Sequence, residues 1–419
     1  MQDHPILGHL AIGYSPLIDR QRAVVSTRLT IFPDRPDAVL DGAALLSALA
    51  EVWPDADTAM SLTLRPLGGA GSAAAAAPTA PALLTIAGEA LLLSVLAAPP
   101  RAQLMVEVPA FMATDPAHAA ALQQARAAGM TLVLKGRPMT DPPVEVLRCF
   151  SHAIVDPGQE RRGDMPTAAG VGPITTIQAG VRTSADLEAA FQRGAVAVLG
   201  WPFDDPLASP KGRTAVPPGL QVVMELMNGV DSGLPVDRLE AILKKDPTLA
   251  FRLLRYINSP AFGLSVEVGS FGHALMLLGY QRLKRWLALL LVSASQDGNL
   301  KPVMFAAVRR GMLMEELMRS SGDAEMRGEL FICGVFSLLD RLLQQPFADL
   351  LKAVPVPERV QQALLGEEGP FLPYLELVRA IEAEAVFEIR ECADRLLLGA
   401  FEVNGALLVA LRNARQLGA

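Results

Sequence analysis

A chain of 419 residues exceeds one core of ordinary size and predicts at least two domains. With 51% apolar and 19% charged residues it is globular, which excludes a disordered chain. The net charge is −7, with 14 Lys and Arg against 20 Asp and Glu in residues 1–206 and near balance thereafter, so neither half is a dedicated nucleic-acid binder.

Three cysteines, Cys149, Cys333 and Cys392, lie far apart, which fits a reducing compartment and gives neither a disulfide framework nor a CxxC metal pair. The first turn carries Asp3 and His4 rather than a basic and then apolar run, so no signal peptide is read there. The apolar stretch "WLALLLVSAS" falls short of the ~20 residues that span a bilayer. A cytoplasmic protein without membrane segments is expected.

From the N-terminus, short β-like runs alternate with helical ones. The strands expected are "HLAIGYSPLI", "AVVSTRLTIF", "SLTLRPL", "LLTIAG", "LMVEVPA", "TLVLKG", "HAIVDP", "TTIQAG" and "AVAVLGW". The first two, joined by "DRQRA", form a hairpin, so one strand runs antiparallel. Between later runs lie "DPAHAAALQQARAAG" and "TSADLEAAFQRGA", each opening on Asp115 or Ser184 and closing on a glycine, which are helix start and stop signals. So many βα repeats within residues 1–204 predict a closed (β/α) barrel. Residues 68–82, "GGAGSAAAAAPTAPA", read as a low-complexity surface loop.

The Pro-rich run over 205–217 predicts a linker, and from residue 218 to 419 only helical periodicity follows. Asp246 caps a helix with Pro247 at its first position, and Leu249, Leu253 and Ile257 form one apolar stripe with Leu254 beside it. The fold class is α/β plus all-α.

The stretch from Asp246 to Trp286 resembles the core of the HDOD family, helical domains related to HD phosphohydrolases but without their metal site. The resemblance is carried by Asp246-Pro247, Leu253 to Arg255, Asn258-Ser259, Phe262-Gly263 and Ala274 to Gly279. In "FICGVFSLLDRLLQQPF", Ser337 and Leu338 stand where an HD enzyme has His-Asp. A barrel before such a domain resembles the tandem EAL–HDOD signalling proteins of bacteria. "SPLIDRQRAVVSTRLTIF" is similar to the opening hairpin of EAL domains and "VLGWPF" to their closing segment. This resemblance implies a TIM-like barrel of EAL type, whose active relatives hydrolyse cyclic di-GMP with two divalent metals.

Two cations near one another need several carboxylates to neutralise them. Compared with that implied set, Arg28 stands for the signature glutamate, Thr85 for an asparagine, and Lys135 with Gly136 for an Asp-Asp pair. Ile154 stands for the catalytic lysine, Ala179 for a further glutamate and Leu199 for a glutamine, with Trp201 in place of tyrosine beside the retained Gly200. Glu107 and Asp156 are the acidic remnants. They either pair with Arg28 or Lys135 as internal ion pairs or hold one weak Mg²⁺. No catalytic residues, no metal and no cofactor are therefore expected.

Arg28, Lys135 and Trp201 are candidate contacts for bound cyclic di-GMP, Trp201 otherwise packing on its own loop. Arg252, Arg255, Arg282, Lys284 and Arg285 form a basic cluster, read as a solvated helix face or as a grip for an acidic partner. His4, His9, His118, His152 and His273 are scattered, and His273 is expected in the core or at an interface. Met304, Met312, Met314 and Met318 are expected as core filler. The resulting expectation is a non-catalytic scaffold that contacts signalling proteins through its HDOD domain. The alternatives are a cyclic di-GMP receptor or a residual phosphodiesterase. A nucleic-acid partner is the third class, disfavoured by the charge.

Overall fold

The computed structural model describes residues 4–35, 39–54, 81–158, 173–207, 218–246, 271–293, 297–352, 354 and 356–416, with Leu249, Arg252, Leu253 and Ile257. Outside these fall the expected strand "SLTLRPL", most of the 68–82 loop, residues 208–217 of the linker, Pro247, Leu254, Arg255, Asn258-Ser259 and Phe262-Gly263. The chain divides into two compact units, residues 1–205 with 376–418, and residues 206–375.

The first unit is a closed barrel of eight strands in sequence order. The strands are β1 (Leu10–Ile18), β2 (Val24–Pro33), β3 (Ala82–Ile86), β4 (Leu104–Pro109), β5 (Thr131–Lys135), β6 (Phe150–Val155), β7 (Thr175–Gln178) and β8 (Ala197–Leu199). Each coincides with an expected run to within a few residues. As the hairpin predicts, β1 lies antiparallel to β2, with Ser15 opposite Arg28, and closes the barrel antiparallel to β8. The turn between β1 and β2 is tied by Asp19, whose carboxylate accepts from the backbone N–H of Gln21 and of Ala23 at 2.9 Å each.

Helices α1 (Gly42–Ala50), α2 (Glu89–Ala97), α3 (Ala110–Thr114), α4 (Pro116–Ala127), α5 (Val144–Leu147) and α6 (Ser184–Gln192) connect the strands. Asp115 caps α4 as the sequence implies. The cap of α6 is Thr183 rather than Ser184: its hydroxyl and the Asp186 carboxylate form a reciprocal capping box, which satisfies two N–H groups where Ser184 would satisfy one. Both helices end on a glycine with positive φ, Gly129 and Gly194. In each case the next residue's N–H returns to a carbonyl five positions back.

Inside the barrel, side chains of one strand parity meet. Ile154, Ala179 and Leu199 are buried there with Leu17, Leu83 and Val133. All three therefore face the barrel interior.

The second unit is helical: α7 (Pro218–Asp231), α8 (Val236–Leu243), α9 (Phe271–Ser293), α10 (Lys301–Leu317), α11 (Ala324–Phe336), α12 (Leu339–Leu343), α13 (Phe347–Leu350) and α14 (Glu358–Leu365). The Asp246 carboxylate accepts from the N–H of Leu249 at 3.1 Å, and Leu249, Leu253 and Ile257 are buried as expected. Met312, Met314 and Met318 are buried and Met304 half-buried, so they fill the core.

α10 and α11 cross in backbone contact. A Cβ on Gly334 would lie 2.5 Å from the Gly311 nitrogen, and one on Gly311 would lie 2.8 Å from the Phe331 carbonyl. Main chain cannot yield as a flexible side chain would, so both positions require glycine. Gly334→Ala is expected to destabilise the helical unit by about 3 kcal/mol or more. Thermal unfolding followed by circular dichroism checks this, and an unchanged midpoint would refute the crossing.

The C-terminal helices depart from expectation. α15 (Leu372–Glu382) leads into α16 (Val386–Arg395) and α17 (Ala400–Gln416), and residues 376–418 belong to the barrel unit instead of extending the helical domain expected over 218–419. Asn404 explains part of this. Its buried amide donates to the carbonyls of Leu7 and Leu10 at 2.7 and 2.8 Å, satisfying main chain just ahead of β1 and at its first residue.

Candidate functional site at the barrel mouth

The C-terminal ends of the parallel strands form the mouth, where a barrel of this kind carries its functional groups. Glu107, on β4, is the most buried acid there, with a side chain 0% exposed. Its carboxylate accepts from Arg28 Nε at 2.7 Å and from Arg28 Nη2 at 3.1 Å, a two-pronged clasp. Lys135 Nζ stands 4.0 Å away. Arg28 Nε also reaches the hydroxyl of Thr85 at 2.9 Å. Burial alone would favour the neutral guanidine. The charges of Glu107 and then Glu384 outweigh it and hold the Arg28 pKa above its ordinary value.

Asp156 behaves differently. It is exposed at the end of β6 and lines a cleft of about 600 Å³ with Lys135, Gly136, Arg137, Phe111 and Met139. The two acids that the sequence treats as one remnant set are thus separated, Glu107 inside the ion pair and Asp156 in the cleft. Ile154, Ala179 and Leu199 lie in the apolar interior just below and bring no polar group to the mouth.

Trp201 packs edge-on against Tyr14, with ring centroids 5.5 Å apart, and tilted against Phe203. Its indole N–H donates to the carbonyl of Glu382 at 3.1 Å. The tryptophan thus packs on β1 as well as on its own loop.

Two residues at the mouth escaped sequence reasoning, Glu382 at the end of α15 and Glu384 between α15 and α16. Tyr14 donates its hydroxyl to Glu382 at 3.3 Å. Ser15 donates to one Glu384 oxygen at 2.8 Å, and Arg28 Nη1 lies 3.5 Å from the other. The available signal was Arg28 itself. A cation on an inward strand position demands carboxylates, and the acidic run "IEAEAVFEIRE" holds several.

In the helical unit, Ser337 is buried, donates to the Gly334 carbonyl at 2.7 Å and accepts from Arg310 Nη1 at 3.1 Å. Leu338 is buried beside it. Of the basic cluster, Arg285 donates to both oxygens of Glu315 at 2.6 Å and lies over the Phe331 ring, while Lys284 pairs with Asp231. Arg252 and Arg282 are exposed, and Arg255 lies outside the described residues. Arg285 and Lys284 thus serve their own fold. His273 is exposed on α9, so of the expected core or interface positions it does not take the core one, because it falls on the outward side of the helix from Ala274 and Leu278. His152, half-buried at the start of β6, has its pKa lowered by burial.

Among the described residues no group of three or more His, Cys, Asp or Glu could hold a metal ion. No described helix is long and apolar enough to cross a membrane.

Residues 215–350 match the profile of the HDOD domain. They form an HDOD domain. Its borders leave both the barrel and the helices α15 to α17 outside. The chain is 30% identical over 163 residues to YuxH of Bacillus subtilis, covering 38% of this chain and 40% of that protein. It is 28% identical over 145 residues to the cyclic di-GMP phosphodiesterase CdgJ of Vibrio cholerae, covering 35% and 34%. The matches thus span about two fifths or less of these relatives' own lengths. Among solved structures, the barrel side is similar to Klebsiella pneumoniae BlrP1 at 16% identity over 49% of this chain and 58% of that one, with a TM-score of 0.29. The PaMucR phosphodiesterase is similar at 15% identity over 48% and 99%, also with a TM-score of 0.29.

Removing Arg28 leaves Glu107 buried and charged. Arg28→Met should cost about 3–5 kcal/mol in barrel stability, and the double change Arg28→Met with Glu107→Met should recover most of it. Thermal melts of the three proteins read this directly. Equal loss in single and double variants would sink the ion-pair account.

Proposed function

We propose that this chain is a cytoplasmic, non-catalytic signal-transduction protein. Its EAL-type barrel has given over the metal position to an internal ion pair, and its HDOD domain makes the contact with protein partners. The observation that carries this reading is the clasp of Arg28 on Glu107 at 2.7 and 3.1 Å, with Lys135 at 4.0 Å. A carboxylate whose two oxygens are engaged by a guanidinium has little left for a divalent cation. The neighbouring cations raise the cost of bringing one in.

The donor set therefore does not fit a pair of divalent metals. Ser337 and Leu338, buried between α11 and α12, offer no metal ligand in the HDOD domain either. The cyclic di-GMP setting is supported by the name of the Vibrio cholerae relative. Purified protein with Mg²⁺ or Mn²⁺ is expected to leave cyclic di-GMP intact. Linearisation that disappears in Glu107→Ala would overturn the reading.

One observation favours a second reading, a receptor that binds without hydrolysis. The cleft beside the mouth joins Lys135 and Arg137 with the exposed apolar faces of Phe111 and Met139, a mix that suits a phosphodiester bearing bases. Calorimetric titration of cyclic di-GMP should then give micromolar binding that needs no Mg²⁺ and weakens about tenfold or more in Lys135→Ala. Absence of heat in either condition would leave the scaffold alone.

A further inference from the structure

Helices in this barrel unit end in a recurrent way, with a residue of positive φ one position past the cap. At α4 and α6 that residue is glycine, Gly129 and Gly194. At α15 it is Glu384, with φ +56°. The hydrogen bonds are those of the same motif: Glu384 N–H to the Ile381 carbonyl at 3.2 Å, and Ala385 N–H to the Ala380 carbonyl at 3.0 Å. A side chain in the left-handed region costs about 1–2 kcal/mol that glycine avoids; Leu397, past the cap of α16, bears that cost in solvent, whereas at Glu384 a contact offsets it.

That contact is the barrel mouth. The left-handed turn points the Glu384 carboxylate back to Ser15 at 2.8 Å and to Arg28 at 3.5 Å. The approach is close. A Cβ on Gly13 would stand 3.0 Å from the Glu384 Cα and from the Ile381 carbonyl, so β1 carries glycine where the turn lies against it. The Trp201 indole and the Tyr14 hydroxyl fix the adjacent Glu382. Arg28 has its Nε and Nη2 edge on Glu107, and Glu384 covers the remaining Nη1.

We propose that the turn Ile381–Glu384 is an intramolecular plug of the barrel mouth. The Glu384 carboxylate occupies the anion position at Arg28, and a phosphate oxyanion from solution reaches that guanidinium only by displacing it. The plug goes beyond the proposed function and holds whether or not the chain meets a signalling partner. The segment that must move is the one joining α15 to α16, so arrival of an anion would be transmitted to the C-terminal helices.

The test uses the full chain and two variants. Glu384→Gly removes the carboxylate and relieves the left-handed strain, so it should fold at least as well at the helix end. Ser15→Ala removes one hydrogen bond from a neutral donor to the plug's carboxylate. Inorganic pyrophosphate and cyclic di-GMP are titrated separately by calorimetry at fixed ionic strength. Affinity for one or both should rise about tenfold or more in Glu384→Gly, because the occupied state no longer taxes binding, and by less in Ser15→Ala. Added ligand should also speed amide hydrogen exchange over residues 383–395 in the unaltered chain. Equal affinities in all three proteins, including no binding to any, would overturn the plug. Hydrolysis of cyclic di-GMP would overturn the non-catalytic reading and leave the plug standing.

Discussion

Burial of Glu107 is the constraint around which the barrel mouth is arranged. A carboxylate wholly removed from water at the end of β4 must be matched by a cation with good geometry, since an unpaired buried charge would unfold the site or force protonation. Arg28 supplies that match from β2, two strands away, and a guanidinium does so better than an ammonium because its planar fork meets both oxygens at once. Once Arg28 is turned inward, its remaining donors need acceptors. Glu384 lies at Nη1, while Thr85 shares the Nε donor with Glu107.

The consequence is a mouth built in layers. Below lies an apolar plug of barrel interior in which Ile154, Ala179 and Leu199 take part. Above it sits the ion pair, and over that the turn from the C-terminal helices. An anion or cation entering from solution meets a charge network already balanced from within. The side cleft, with Lys135, Arg137 and Asp156, is open to it. The HDOD domain follows the same economy in a different form. Its α10–α11 crossing is so close that glycine is needed on both sides, and Ser337 is tied to Arg310 and to its own helix.

Sequence patterning reached far into this arrangement. The resemblance to EAL domains placed Arg28, Thr85, Glu107 and Lys135 at strand ends that do meet at the mouth, whereas Ile154, Ala179 and Leu199, which it set at metal and catalytic positions, lie in the apolar interior. Sequence reading failed where a side chain's fate depends on a partner distant in the chain. Asp156 and Glu107 look alike in sequence, yet one is exposed and the other sealed. Lys284 and Arg285 read as part of a basic patch, yet Asp231 and Glu315 neutralise them. His273 sits on a helix with an apolar face, but a shift of one position along a 3.6-residue period moves a side chain by 100° and puts it in solvent.

The amino-acid sequence by itself determined the eight described strands, the helix caps at Asp115 and Asp246, the change from βα alternation to pure helix, and the HDOD motif. These are local signals, set by residues a few positions apart, and they survive without knowledge of the partners. The tertiary structure decided that residues 376–418 join the barrel, that Glu107 is clasped by Arg28, and that Glu384 closes on the same arginine from 356 residues away. Contacts of that separation depend on where whole elements pack and on which buried charge most needs a partner, and neither is written in any short window of sequence.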